Sequence, residues 1–203
     1  MRLVLLYLYR HLTFKSPAMK KILSGIVLLF LPLALLQAQT GKEPDEATSG
    51  TTLSETHRFL SGYEGTWTEE WSAPGAEAEK FTFTAVINMI LGGRYLQCSQ
   101  TGEAGNKAFE GLLTLGYDNN TGKFSMIVIN TMSTATLVLE GRWKEPGKSI
   151  LLNGTATHPD DKHTIALRQV ITFADKDNFG IESYEGNEQG EYSKNMEYRF
   201  SRQ

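Results

Sequence analysis

The chain has 203 residues, 40% of them hydrophobic, with 20 Lys and Arg against 23 Asp and Glu and a net charge of −3. That length suffices for one domain with a sizeable core, because a chain of roughly 150 residues buries about 68–70% of its unfolded surface. The acidic balance excludes the basic footprint of a nucleic-acid binder, and the single cysteine, Cys98, excludes an internal disulfide framework and a multi-cysteine zinc site.

The N-terminus reads as an address. Met19-Lys20-Lys21 precedes an almost wholly apolar run over 22–36, and Gln37-Ala38-Gln39 follows. A charged start, an apolar stretch and a small residue at the cleavage point are the parts of a secretory signal. The run is shorter than the roughly 20 residues a membrane helix needs, and Pro32 interrupts it. Residues 19–38 are therefore expected to be a signal peptide cut after Ala38, with no stable membrane insertion afterwards and a periplasmic or extracellular destination. No cysteine stands at the cut, which closes the lipoprotein route. Met19 is expected to be the true start, and 1–18 a misassigned extension. Removing the five basic residues before Gln39 (Arg2, Arg10, Lys15, Lys20, Lys21) moves the net charge from −3 to −8. Residues 39–52 are rich in Gly, Ser, Thr and Glu and are expected to form a flexible leader.

Thr52 and Glu55 have capping-box spacing, which predicts a helix from Leu53 to about Gly62, with Leu53, His57 and Leu60 near one face. Gly62 and Gly65 end it. Beyond that the period changes from 3.6 to 2. Thr66–Ser72 places Trp67, Glu69 and Trp71 on one side, and Lys80–Ile90 places Phe81, Phe83, Ala85, Ile87 and Met89 on one face. Further strands are predicted at Arg94–Thr101, Phe109–Tyr117, Lys123–Asn130, Thr134–Lys144, Ser149–Thr157, Thr164–Ala174, Asn178–Tyr184 and Glu191–Arg202. Short turn segments separate them, among them Leu91-Gly92-Gly93, Asp118-Asn119-Asn120-Thr121-Gly122 and Pro146-Gly147. Such short connections favour neighbouring antiparallel strands. The fold class is all-β: residues 53–203 form one antiparallel barrel of about ten strands under a short N-terminal helix, since closure removes both sheet edges. More than about eight strands leaves room for a cavity.

Gly65-Thr66-Trp67 after a short helix, with His57-x-x-Leu60 upstream, resembles the opening of the calycin (lipocalin-like) barrels. That resemblance implies that Trp67 plugs the barrel floor with an arginine laid across it. Arg202 is the expected partner, because it shares a face with Tyr198 and Phe200. A closer resemblance, over 57–202, is to the domain of unknown function 1579 family. It rests on His57-x-x-Leu60, Gly65-Thr66-Trp67, Leu91-Gly92-Gly93-Arg94-Tyr95, Phe109-x-Gly111, Leu115-Gly116-Tyr117-Asp118 and Gly122-Lys123-Phe124. It continues through Leu139-Glu140-Gly141, Arg168-Gln169-Val170 and Met196-x-Tyr198. Where members of that family often carry Trp and Asp after Lys-Phe, this chain has Val128 and Asn130. The resemblance implies a lipocalin-like barrel and no settled activity.

No Gly-x-Ser-x-Gly, phosphate loop or His-Glu-x-x-His motif is present. The turn from His158 to His163 is read as solvated and charged, not as a metal site, and no metal is expected. Nitrobindin-like barrels hold haem through a histidine on a late strand, and 178–203 contains none. That leaves Tyr184, Tyr192 or Tyr198 as iron ligands, and no cofactor is expected. Cys98, on a face with Leu96, is expected to be buried and inert.

An apolar cavity with a few polar groups is what a small-molecule site needs. The candidate ligand-binding residues are His57, Arg94, Tyr95, Tyr117, Arg168, Tyr184 and Tyr198, with either arginine available for a carboxylate head group. His57 is alternatively a brace for the helix under the barrel. The first functional expectation is a non-catalytic, exported binder of a small, partly apolar or lipophilic ligand. A filled barrel acting as an envelope interaction protein is the alternative, to be marked by an exposed apolar patch. A cavity-based hydrolase or isomerase is the third, to be marked by a pocket carboxylate with a raised pKa beside a tyrosine. Oligomeric state is not legible.

Overall fold

The computed structural model describes residues 50–75, 80–157 and 162–203. The expected extension (1–18), signal peptide (19–38) and most of the leader lie outside the described residues, as do His158 to Asp161.

Within them, alternation of apolar and polar residues is realised as ten strands. These are β1 (Gly65–Ser72), β2 (Phe81–Ile90), β3 (Tyr95–Ala104), β4 (Lys107–Asp118) and β5 (Lys123–Asn130), then β6 (Leu137–Glu145), β7 (Ser149–Thr157), β8 (Thr164–Phe173), β9 (Asn178–Gly186) and β10 (Tyr192–Arg202). Each pairs antiparallel with the next, and β1 closes the barrel by pairing with β10, in a register that sets Trp67 opposite Arg202. The turns β2–β3, β4–β5, β6–β7 and β8–β9 form one end, called the floor, and the β3–β4, β5–β6 and β9–β10 turns lie at the other, the mouth.

The helix α1 spans Glu55–Ser61, two residues later than the Thr52–Glu55 spacing predicts. Ser54 is the N-cap, and its backbone N–H donates to Nδ1 of His57 at 3.1 Å. An imidazole thus takes the place a Glu or Gln fills in the usual capping box. Thr51 and Thr52, expected in the leader, are tied to the floor: the Thr51 carbonyl accepts from Arg94 at 3.0 Å and the Thr52 carbonyl from Asn119 at 2.6 Å. β6 begins three residues after the predicted Thr134, because Ser133 Oγ captures the Ala135 N–H at 3.0 Å in an exposed turn.

The floor half of the interior is filled by aromatic side chains. Phe59 of α1 meets Trp143 at 5.5 Å and Phe173 at 5.0 Å between ring centroids, and Phe179 stacks on Phe200 at 4.2 Å. Trp67 is wholly buried and donates its indole N–H to the Tyr63 carbonyl at 3.1 Å. Arg202 lies across it, with its guanidinium carbon 4.3 Å from the ring, and donates to the carbonyls of Glu64 (2.7 Å), Gly62 (2.9 Å) and Lys176 (2.8 Å). One side chain therefore ties the helix exit, the β8–β9 turn and the last strand together. Gly65 makes this possible. Its φ of +139° disfavours a side chain, and a Cβ there would sit 2.8 Å from the guanidinium.

Candidate functional site

The mouth half of the barrel is not filled. A cavity of about 240 Å³ runs from Glu69 and Trp71 on β1 past Gln100, Gln169 and Tyr198 to the exposed Ser133 and Ala135 of the β5–β6 turn. Leu113, Val128, Leu137, Leu167 and Ile181 supply apolar wall. A small, wholly apolar space of about 30 Å³ lies beneath it and shares Leu113, Ile181 and Phe200.

Glu69 is the only carboxylate among the described lining residues. Strand alternation puts it on the inward face between Trp67 and Trp71, so it has no contact with solvent. Its Oε1 accepts the Trp71 indole N–H at 2.6 Å, and Nε2 of Gln100 donates to both oxygens at 2.8 and 2.7 Å. Gly111 provides the room for that amide, since a Cβ there would collide with Gln100 Oε1. Burial pushes the Glu69 carboxyl up to about 7, against the pull of the Trp71 and Gln100 hydrogen bonds. Burial first and the Glu69 charge second push Tyr198 up to about 12, and the same two causes raise Cys98, which is buried. On β8, Oε1 of Gln169 is buried with no hydrogen-bond partner among the described residues. Trp71 meets Phe109 at 4.9 Å and Tyr198 at 5.3 Å, both edge-on, and all three rings line the cavity.

A family model described as "Protein of unknown function (DUF1579)" matches residues 52–202. The chain belongs to the DUF1579 family. Its barrel is similar to the crystal structure of Rv2717c from M. tuberculosis, with 16% identity and a TM-score of 0.53, over 74% of this chain and 99% of that one. That likeness shows the fold. A redesigned beta barrel is similar at 12% identity and a TM-score of 0.39, over 72% of this chain and 96% of that one. Among curated proteins, none matches.

In this DUF1579 barrel, Val128 and Asn130 both line the cavity. Of the seven expected ligand-binding residues, only Tyr198 lines it. His57, Arg94, Tyr95 and Tyr117 come together, but in a separate cleft at the floor, outside the barrel. Arg94 spends its guanidinium on the carbonyls of Leu91 (3.3 Å), Gly92 (3.4 Å) and Thr51 (3.0 Å). His57 braces the helix start and meets the Tyr117 ring edge-on at 5.9 Å, with its pKa lowered chiefly by burial. Arg168 points outward, donating to Asn153 at 3.3 Å and lying 3.8 Å over the Tyr192 ring. Tyr184 is also outward and donates its hydroxyl to Glu182 at 2.9 Å. The expected carboxylate clamp is thus not in the cavity, because the strand parity that carries Gln169 inward carries Arg168 outward. Glu69, Gln100 and Gln169 are polar groups of the cavity that are absent from the expected set. The signal was present: Glu69 shares its parity with two tryptophans, and Gln100 shares its with Leu96 and Cys98. Among the described residues, no three His, Cys, Asp or Glu gather as a metal ion would require.

Proposed function

We propose that this protein is exported, by the signal read at 19–38, to the periplasm or the extracellular space, where it binds a small, partly apolar molecule without transforming it. The observation that carries this reading is the cavity. It has apolar walls, a few convergent polar groups and a mouth at exposed residues, which are the features of a small-molecule site. Its volume lies below the roughly 300–1,000 Å³ usual for drug-sized ligands, which favours a small molecule over haem or a long acyl chain. Burial of the ligand's apolar surface, at roughly 25 cal/mol per Å², supplies the affinity. A carboxyl with a raised pKa near a tyrosine is also the mark set for a hydrolase or isomerase. Glu69, however, is covered and has both oxygens occupied, which weighs against its acting as a base.

A second reading, an interaction protein, draws support from the outer face. Ile127 pairs with Val138 there, and Ile129 and Met132 continue an exposed apolar patch. Native mass spectrometry of the protein, purified without denaturant from the cell that makes it, separates the two. The binder reading expects a co-purifying small mass that leaves on denaturation. A clean apo mass, with a partner protein in its place, would favour the patch.

A further inference from the structure

We infer that the ligand of the cavity is an uncharged molecule with a hydrogen-bond acceptor, of the ketone or alcohol kind, whose oxygen takes the amide N–H of Gln169 and whose hydrocarbon end points toward the floor. The inference deepens the reading of the cavity as a ligand site and rests on it.

Gln169 carries the argument. It is 7% exposed, shares the inward side of β8 with Ile171 and Phe173, and lines the cavity. Its Oε1 is closed off without a donor, so the open side of the amide is its N–H2, and an acceptor is what that side lacks. The other polar groups of the lining agree. Asn130, inward on β5 with Phe124 and Met126, spends its Oδ1 on the Met132 N–H at 2.9 Å and keeps its own N–H2. Burial and the Glu69 charge push Tyr198 up to about 12, so it keeps its hydroxyl proton. Ser133 Oγ already accepts from Ala135 at 3.0 Å. The Glu69 carboxyl has no contact with solvent and is engaged by Trp71 and Gln100, and the Gln100 Oε1 packs over Gly111.

Charge narrows the class. No Lys, Arg or His lines the cavity among the described residues, so a carboxylate would leave water without a counter-charge. An ammonium fares no better, because Glu69 is covered and burial favours its neutral form. An uncharged oxygen costs far less to desolvate and regains that cost in one hydrogen bond. The wholly apolar space beneath, which shares Leu113, Ile181 and Phe200 with the cavity, suits hydrocarbon and offers nothing to a polar end.

The test is isothermal titration of the protein with 2-hexanone, hexanoate and hexylamine, and with 2-methyl-1-hexene, in which a methylene replaces the ketone oxygen. At about pH 8 the acid is ionised and the amine protonated. The ketone is expected to bind at least about tenfold more tightly than either ion. Gln169→Met, a volume-conserving change, is expected to weaken the ketone by about fivefold and to leave the alkene unchanged. The infrared carbonyl band of the bound ketone needs no variant, and it is expected at a lower frequency than in hexane. An ion that binds as tightly as the ketone, a variant that weakens ketone and alkene alike or neither, or a carbonyl band at its hexane position would overturn the uncharged acceptor and leave the binder standing. No binding of any of the four would overturn both.

Discussion

Trp67→Ala is expected to destabilise the protein by about 3–5 kcal/mol, the range for removing a large aromatic from a packed interior. The effect has three sources. The ring is wholly buried, between Tyr63 at 6.2 Å and Phe179 at 5.0 Å, so truncation leaves a void among rigid neighbours. The Tyr63 carbonyl loses its indole donor. Arg202 loses the surface on which it rests while it holds the helix exit and the β8–β9 turn. Because Trp67 faces Arg202 across β1 and β10, the loss falls on the seam that closes the barrel. Denaturant unfolding followed by circular dichroism measures it. A loss below about 1 kcal/mol, within the reach of an ordinary surface change, would show that the floor does not depend on this plug.

The second large effect belongs to Glu69 and depends on pH. Burial raises its carboxyl from an ordinary 4.5 to about 7 in the folded protein. Between those values the folded chain holds a proton that the unfolded chain has released, so stability falls as pH rises through that window. At 1.36 kcal/mol per unit, the full loss above the folded pKa is about 3 kcal/mol. Glu69→Gln removes the titration. The stability of the natural protein, measured against that variant, is therefore expected to drop by about 3 kcal/mol from about pH 4.5 to about pH 8. His57 acts with the opposite sign. Its lowered pKa gives stability that is present above the unfolded value of 6.5 and is lost on acidification. It is common to both proteins and cancels in the difference. Parallel pH profiles for the two would show that Glu69 ionises as freely in the folded chain as in the unfolded one.

The barrel was legible because its strands are half-buried. Phe83, Ala85 and Ile87 alternate with exposed residues, and short turns leave each strand only its neighbour to pair with. Boundaries failed where a polar side chain, and not periodicity, decides. Ser133 delays β6, and His57 replaces the acid that a capping box leads one to expect. The site was less legible, for a reason of parity. Arg168 and Gln169 are adjacent, and the charged one drew attention. Yet Gln169 shares its side with Ile171 and Phe173, and that places it inside. Glu69 stands in the sequence as a charged residue between two inward tryptophans, and its meaning lies in the hydrogen bonds that fold across from β3, which no local pattern carries. The floor cleft shows the converse. Four chemistry-bearing residues, His57, Arg94, Tyr95 and Tyr117, converge there, and two of them serve the chain's own backbone.

The claim that the mouth half of the barrel is a ligand site is tested most directly by filling it. Ala156 is an inward, small residue in the cavity wall on β7, and Ala156→Trp places an indole in the space a ligand would take. The measurement is the thermal stabilisation given by hexanol to the natural protein and to the variant. The cavity account predicts a rise in Tm for the natural protein and none for Ala156→Trp. An equal rise in both would place the binding elsewhere and contradict it.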